Sequence, residues 1–289
     1  MPGQPYFALR RLRAWGALPL LLLAALSLSS CADSGNDDDP PATPAPTVQL
    51  KTDATLGPHL ADAKGNTIYY FSRDLAGTNS CTGGCASTWP IFYEPGLTVG
   101  EGLKAEDFGT TTTADGKPQS TYKGWPMYYY APADGSGQNV REQPGEVKGE
   151  NVGNVWFVMK PDYSLLVARA SVLNKTSNQT ALKSFLIDGQ GRTLYTFAVD
   201  QTRPTTQPTN CTGGCISNWP VYLEMGRSLP SMMKSSDFGV ITRPDGAGGT
   251  PRQQTTYKGL PLYYYTPDGG LRNKAEGDGI NNVWSVATP

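Results

Sequence analysis

The sequence predicts an all-β fold: two tandem modules of short antiparallel strands, each made of two half-repeats, after a disordered N-terminal tether. The 289 residues include 33 Gly, 24 Pro and 15 Tyr, a composition typical of short strands joined by frequent turns. Most of the chain is duplicated, and each duplicate contains the same tyrosine-rich pattern twice. We therefore expect one module at residues 47–165 and a second at residues 170–289.

Residues 1–30 are typical of a signal peptide for export. Three arginines, Arg10, Arg11 and Arg13, precede an apolar run from Ala14 to Leu28, and Ser29-Ser30-Cys31 follows. An apolar residue, two small residues and a cysteine resemble the bacterial lipobox, which implies that Cys31 is lipidated and becomes the new N-terminus. An ordinary signal peptide and a single membrane span are the alternatives, although the run is shorter than the roughly 20 apolar residues that a span needs.

Residues 31–46 form a Pro- and Asp-rich segment without apolar periodicity. Such a composition favours a semi-extended, disordered tether that holds the folded part away from the membrane. The residue after Cys31 is Ala32 and not Asp, and by resemblance to Gram-negative sorting rules this favours the outer membrane. The predicted location is the cell envelope, with the membrane as a partner through the N-terminal lipid.

The internal duplication is visible as five pairs of matching segments. These pairs are Leu60–Phe71 with Leu186–Phe197, Cys81–Ile91 with Cys211–Val221, Asp107–Gly109 with Asp237–Gly239, Thr121–Tyr130 with Thr256–Tyr265, and Asn154–Pro161 with Asn282–Pro289. Because the pairs follow in the same order along most of the chain, they indicate two copies of one module.

Each module contains a shorter motif twice, Tyr-x-aromatic-x-x-Asp, in which the tyrosine follows a glycine by four positions. The copies are Tyr69, Phe71 and Asp74; Tyr128, Tyr130 and Asp134; Tyr195, Phe197 and Asp200; and Tyr263, Tyr265 and Asp268. The copy that ends at Asp134 carries one extra residue. Glycine-containing turns are predicted at Ala63–Asn66, Gly189–Arg192, Asp115-Gly116 and Asp245-Gly246.

The four motif copies and the two Cys-x-x-x-Cys blocks with their Trp-Pro dipeptides resemble the bacterial secreted-repeat lipoproteins. That family is described by a Tyr-x-(Phe/Trp/Tyr)-x-x-Asp motif. The resemblance covers almost all of residues 47–289. Because no activity is established for the family, the resemblance implies an architecture and a location but no mechanism.

The motif aromatics have two interpretations. Side chains alternate between the faces of a strand, so Tyr69 and Phe71 share one face and Tyr70 points to the other. Packing in a common core is the first interpretation. The second is a tyrosine surface that stacks on a sugar ring or another planar ligand, for which the face of Tyr70, Tyr129 and Tyr264 is the better candidate. The motif aspartates are expected to accept hydrogen bonds from backbone N–H groups in the following turn.

The cysteines other than Cys31 are even in number, which in an exported protein favours disulfides. The natural pairs are Cys81–Cys85 and Cys211–Cys215, and each pair closes a ring around Thr-Gly-Gly. Two adjacent glycines suit such a ring, because its tight backbone needs angles that other residues resist. Metal or redox chemistry is the alternative, because two thiolates suit Cu(I) and the spacing also occurs in copper chaperones of the Sco type. Such sites need a histidine, and the chain contains only His59.

Composition excludes several classes of function. A formal net charge of −1 gives no indication of nucleic-acid binding, and one histidine leaves little room for a His-based catalytic site. No catalytic residues, metal site or cofactor are predicted. The expected function is that of a lipid-anchored, non-enzymatic binding or scaffold module; the alternative is a periplasmic copper-binding or thiol-disulfide redox protein that uses the two cysteine pairs.

Overall fold

The computed structural model describes residues 44–202, 209–224, 226, 228–246, 248 and 250–289. The predicted signal peptide (1–30), the predicted lipidation site Cys31 and the tether as far as residue 43 lie outside the described residues. Residues 44–289 form one compact unit. The described part consists mainly of short strands in small antiparallel sheets, so the all-β prediction is confirmed.

The first half of the described chain contains seven strands and one short helix. They are β1 Val48–Asp53, β2 Gly57–Asp62, β3 Tyr69–Phe71, α1 Gly84–Thr88, β4 Phe108–Thr112, β5 Pro118–Tyr122, β6 Trp125–Pro126 and β7 Trp156–Val158. Strands β1 and β2 form a hairpin, β3 pairs with β7, and β4, β5 and β6 form a three-stranded sheet.

The second half repeats these elements in the same order. They are β8 Leu165–Asn174, β9 Gln179–Asp188, β10 Tyr195–Phe197, α2 Gly214–Asn218, β11 Phe238–Arg243, β12 Arg252–Tyr257, β13 Leu260–Pro261 and β14 Trp284–Val286. The pairing is also repeated, with β8 on β9, β10 on β14, and β11, β12 and β13 in one sheet. Strand β8 begins at the predicted end of the first module and continues into the second, through residues 166–169, which neither predicted module includes. The β8–β9 hairpin is longer than β1–β2, which gives the second module an extension.

The motif strands follow glycine turns, as the sequence predicts. Gly65 and Gly191 have φ angles of 89° and 85°, the left-handed region in which residues with a Cβ are strained. The Asp62 carboxylate accepts hydrogen bonds from the backbone N–H groups of Lys64 and Asn66, both at 2.9 Å. Asp188 holds the second turn in the same way. These turns fix where Tyr69 and Tyr195 enter their strands.

Two hydrophobic clusters lie on opposite sides of the first motif strand. The larger cluster contains Tyr70 and extends through both modules. The smaller cluster consists of Tyr69, Phe71, Cys81, Trp89, Tyr128, Trp156 and Val158. The predicted alternation of Tyr69 and Phe71 against Tyr70 is confirmed, and both faces of this strand are buried.

Arg272 connects the two modules. Its side chain comes from the second module and donates hydrogen bonds to the carbonyls of Lys123 at 2.7 Å and Leu75 at 3.3 Å in the first. The guanidinium lies 4.7 Å from the ring centroid of Trp125, a cation–π contact. A side chain at position 124 would collide with this guanidinium, because a Cβ there would lie 2.1 Å from Nη1 of Arg272.

Candidate functional site

The two motif tyrosines of a module are direct backbone partners. Tyr69 donates its N–H to the carbonyl of Tyr128 at 2.9 Å, and Tyr128 donates to Tyr69 at 3.0 Å. Tyr195 and Tyr263 form the same pair at 2.8 and 3.0 Å. Both hydrogen bonds of an antiparallel pair are therefore made at the motif residue itself, and the two half-repeats meet there with pseudo-twofold symmetry.

The tyrosine hydroxyls cross this symmetry axis. Each hydroxyl donates to a buried carboxylate of the other half-repeat. The pairs are Tyr69 with Glu142 (2.6 Å), Tyr128 with Asp74 (2.5 Å), Tyr195 with Asp268 (2.6 Å) and Tyr263 with Asp200 (2.8 Å). Charge-assisted hydrogen bonds of this kind are stronger than neutral ones, so each module is held together by two exchanged tyrosine–carboxylate pairs.

The carboxylates also hold the loops that follow, as expected for the motif aspartates. Asp74 accepts from the backbone N–H of Ser80 at 2.8 Å, and Asp268 accepts from that of Glu276 at 2.9 Å. Asp200 accepts from the backbone N–H of Asn210 at 2.7 Å. Each of these carboxylates therefore links a tyrosine of one half-repeat to a loop of the other.

Glu142 occupies the position that the sequence repeat assigns to Asp134. Asp134 is exposed and accepts only within its own turn, from the N–H groups of Ser136 and Gln138. Glu142 is buried and accepts from Tyr69 and from the backbone N–H of Lys148, the counterpart of the Glu276 contact in the second module. In the sequence, the extra residue before Asp134 indicates this change, because it places the aspartate one position farther from the tyrosine than in the other copies.

Burial raises the pKa of Asp74, Glu142 and Asp268. The pKa of Asp74 rises to about 6, although hydrogen bonds from Ser80 and Tyr128 oppose the shift. That of Glu142 rises to about 7, with Tyr69 and the backbone of Lys148 opposing. Burial and the facing carboxylate raise the pKa of the partner tyrosines well above the ordinary value, so these hydroxyls remain donors.

Four aromatic rings form a column in each module, stacked except for the Trp89–Tyr130 pair, which is tilted by 35°. In the first module the order is Phe71, Trp156, Trp89 and Tyr130, with centroid separations of 4.0, 3.8 and 4.4 Å. In the second it is Phe197, Trp284, Trp219 and Tyr265, at 4.2, 3.7 and 4.2 Å. The motif aromatics thus enclose the tryptophan of each Trp-Pro dipeptide, and their role is in packing, the first of the two interpretations.

The alternative interpretation, a stacking surface at Tyr70, Tyr129 and Tyr264, is wrong for two of the three residues. Tyr70 is 1% exposed and packs on Trp125, and Tyr129 is 8% exposed. The Tyr129 ring packs on Phe92, and its hydroxyl donates to Asp62 at 2.9 Å. Tyr264 is half-buried, and its hydroxyl donates to Asp188 at 2.9 Å.

The four cysteines form the two predicted disulfides. Cys81 is bonded to Cys85 and Cys211 to Cys215, with S–S distances of 1.97 and 2.02 Å. Each ring encloses the start of a short helix, α1 or α2. The first helical residue in each case follows a glycine with positive φ, Gly83 at 60° or Gly213 at 57°, which explains the first glycine of the Gly-Gly pair in both rings.

A cavity of about 540 Å³ lies beside the first disulfide ring. It is lined by Asn79, Cys81, Thr82, Gly83, Ala86, Pro90, Ile91, Thr113, Ala114, Asp115 and Lys117. The strand registers make Thr113, which directly follows β4, the counterpart of Arg243, the last residue of β11. The cavity therefore lies at the place that corresponds to Arg243 in the second module. The Arg243 side chain is 1% exposed and occupies the corresponding position beside Cys211.

A second cavity, of about 600 Å³, lies between the modules and is polar. Charged side chains line it, among them Lys123, Asp188, Arg192, Glu224 and Arg272. Arg192 is bonded to Asp188 at 2.6 Å, and Arg272 is bonded to main-chain carbonyls. The two arginines that line this cavity are therefore already bonded within the protein.

His59 lies in the core. It is 1% exposed, and its ring nitrogens face Thr67 Oγ1 and the Gly57 carbonyl, each at 3.3 Å. Burial lowers its pKa, so the ring is neutral near pH 7. Within the part of the chain that the structure describes, no group of three or more His, Cys, Asp or Glu side chains is placed to hold a metal ion. No helix there has the length and apolarity needed to cross a membrane.

Comparison with known proteins finds one family whose model matches parts of this chain. The model of the Lipoprotein_15 family, described as a secreted repeat of unknown function, matches residues 52–92, 177–222 and 239–288. The resemblance inferred from the motif is thereby confirmed. The second half-repeat, which uses Glu142 in place of the motif aspartate, lies outside the matched segments. Neither the curated proteins nor the solved structures include one that matches the chain.

Proposed function

We propose that this chain, parts of which match a family of secreted repeats of unknown function, is a lipid-anchored lipoprotein of the cell envelope that works as a non-enzymatic binding or scaffold module. Cys31 carries the lipid in this proposal, and Ala32 directs the protein to the outer membrane. Two or more acyl chains give a stable anchor, since each buried CH₂ contributes about 0.8 kcal/mol.

The observation that carries the non-enzymatic part is how the reactive side chains are used. The motif tyrosines are bonded to buried carboxylates, the four cysteines are in disulfides, and His59 is buried. The sequence features that recur most strongly therefore hold the modules together. The exposed side chains are not needed for these internal contacts, and this supports a binding or scaffold role.

The redox alternative has one observation in its favour: the Cys81–Cys85 ring borders a cavity open to solvent. A thiol-disulfide protein would use such an opening for attack on the ring. The purified full-length protein should contain no free thiol before reduction and bind no Cu(I) in stoichiometric amount after it. Stoichiometric Cu(I) binding that is lost in Cys81→Ser would instead establish the alternative.

The anchor is tested by cell fractionation in a Gram-negative host. Wild type should be recovered in the outer membrane, Ala32→Asp in the inner membrane, and Cys31→Ser in a form that is not processed to a lipoprotein. Ala32→Asp separates membrane sorting from lipidation, because it changes only the residue after the lipidated cysteine. Lipid labelling of Cys31→Ser, or an unchanged location of all three proteins, would contradict the anchor.

A further inference from the structure

The second module contains a complete binding site for a guanidinium group, occupied by its own Arg243. Nη2 of Arg243 donates to the Cys211 carbonyl at 2.5 Å and to Asp245 Oδ2 at 2.6 Å, and Nε donates to Asp245 Oδ1 at 2.9 Å. Nη1 donates to Gln254 Oε1 at 2.8 Å and to Thr209 Oγ1. The bidentate contact with Asp245 has the geometry that guanidinium and carboxylate groups prefer.

The first module has three of these four acceptors and no arginine among them. The strand registers make Gln119 the counterpart of Gln254. Asp115 and Cys81 correspond in sequence to Asp245 and Cys211. Position 243 is taken by Thr113, whose hydroxyl is bonded within its own turn, to Asp115 at 2.5 Å and to the main chain of Lys117 at 3.0 and 3.1 Å. The cavity of about 540 Å³ in the first module is lined by Asn79, Cys81, Thr113 and Asp115, the counterparts of Arg243 and of three of the residues that it contacts.

One contact of the arginine is replaced within the first module. Asn79, the counterpart of Thr209, donates from Nδ2 to Gln119 Oε1 at 2.7 Å. This is the contact that Nη1 of Arg243 makes with Gln254. The carbonyl of Cys81 and the carboxylate of Asp115 remain, and they are the counterparts of the two groups that bind the Nη2 and Nε edge of Arg243.

The lysine at the rim leaves room for a second cation. Lys117 binds Asp115 at 2.7 Å, and both side chains are more than half exposed, so the pair contributes little to stability. In the second module Asp245 binds Arg252 at 3.2 Å and Arg243 at the same time. The corresponding aspartate in the first module is therefore placed to bind Lys117 and an incoming guanidinium together.

From these internal counterparts we infer that the cavity beside the Cys81–Cys85 ring is a binding site for the guanidinium group of an arginine from another molecule. The guanidinium lies between the Cys81 carbonyl and Asp115, and the side-chain stem lies along Ile91 and Pro90. The inference rests on the proposed binding role and gives it a ligand class.

The test is calorimetric titration of the full-length protein in mild detergent with the peptide acetyl-Gly-Arg-Gly-amide. We expect one saturable site, and at least about tenfold weaker binding of the matching lysine peptide, since lysine cannot make the planar bidentate contact. Free L-arginine is titrated in parallel. Tighter binding of the peptide assigns the site to an arginine in a partner protein, and equal binding assigns it to small guanidinium compounds; both results support the site.

Three variants locate the binding. Thr113→Arg introduces the arginine of the second module into the cavity and should abolish peptide binding. Asp115→Asn changes an exposed residue and should weaken binding about tenfold through loss of the charge-assisted contact. The double variant Thr209→Asn/Arg243→Thr gives the second module the residues of the first, and the stoichiometry should rise from one to two.

The inference is overturned if the wild type shows no saturable binding, if the lysine peptide binds as well as the arginine peptide, or if Thr113→Arg binds unchanged. Asp115→Asn keeps the site testable should the double variant fail to fold. None of these results depends on where the protein is anchored or on its thiols, so a failed arginine site and a failed envelope role are separate outcomes.

Discussion

The hydroxyl of Tyr69 donates to the carboxylate of Glu142 at 2.6 Å, although the two residues are 73 positions apart. The reverse bond, from Tyr128 to Asp74, returns across the same interface. Each half-repeat therefore completes its own buried hydrogen bonds only with groups supplied by the other. The predictions below concern this exchange and the packing around it.

Removal of one exchanged hydroxyl should destabilise the protein. Tyr128→Phe leaves buried Asp74 with its Ser80 contacts and without the tyrosine. We expect the free energy of unfolding to fall by about 1.5–3 kcal/mol, the range for a buried hydrogen bond to a charged group. Denaturant unfolding measures it, with Tyr93→Phe as the control because Tyr93 is 40% exposed. Equal stability of the two variants would contradict the exchange.

The assignment of Glu142 predicts a contrast with Asp134. Glu142→Ala removes the acceptor of buried Tyr69 and of the Lys148 N–H, and should lower the free energy of unfolding by about 2–3 kcal/mol. Asp134→Ala removes an exposed turn carboxylate and should cost about 1 kcal/mol or less. Thermal unfolding of both variants side by side decides which residue completes the motif. A larger loss in Asp134→Ala would restore the assignment made from sequence.

The raised carboxyl pKa values predict greater stability in mild acid. Asp74 and Glu142, with folded pKa values of about 6 and about 7, bind protons in the folded state at a pH where the unfolded chain has released them. Their contribution is complete below about pH 4 and is lost as the pH rises through 6 to 7. The free energy of unfolding should therefore fall from pH 5.5 to pH 8.

His59 acts in the opposite direction, since burial lowers its pKa and its contribution is lost as the pH falls below about 6.5. A comparison of wild type with Glu142→Gln cancels this contribution. The variant should show a flatter pH dependence between pH 6 and 8, measured by urea unfolding at constant ionic strength. Parallel curves for the two proteins would show that Glu142 does not titrate in this range.

Two glycines are predicted to be required by close packing. A Cβ at Gly149 would lie 2.8 Å from the Tyr69 ring, and one at Gly277 would lie 2.8 Å from the Tyr195 ring. Gly149→Ala and Gly277→Ala should each cost about 1–3 kcal/mol through overpacking. Gly84→Ala is the matched control, because a Cβ there meets nothing within 4 Å. Thermal unfolding of the three variants measures the difference; an equal loss in all three would exclude the steric cause.

The sequence predicted those parts of the structure that depend on neighbouring residues. The glycine turns at Gly65 and Gly191 and the rings of Cys81–Cys85 and Cys211–Cys215 each lie within a few positions, so residue type and spacing determine them. The alternation of Tyr69 and Phe71 against Tyr70 was also predictable, because strand geometry alone fixes it.

The exchanged hydrogen bonds and the role of Glu142 were not predictable in this way. They depend on which strands pair and in which register, and a single sequence does not reveal that Tyr69 lies opposite Tyr128. The burial of Tyr70 and Tyr129 on the second face has the same origin, since their rings pack on Trp125 and Phe92, which are distant in the sequence. Arg243 was overlooked because its counterpart, Thr113, differs in size and charge.

The exchange between Tyr69 and Tyr128 also constrains how such proteins can evolve. A lone copy of the motif would present a strand whose hydroxyl and carboxylate both lack their complement, and buried polar groups without partners are costly. Gene duplication or loss that changes the number of copies by one should therefore be selected against. Natural arrays built from this unit are expected to contain even numbers of copies, as the four in this chain do.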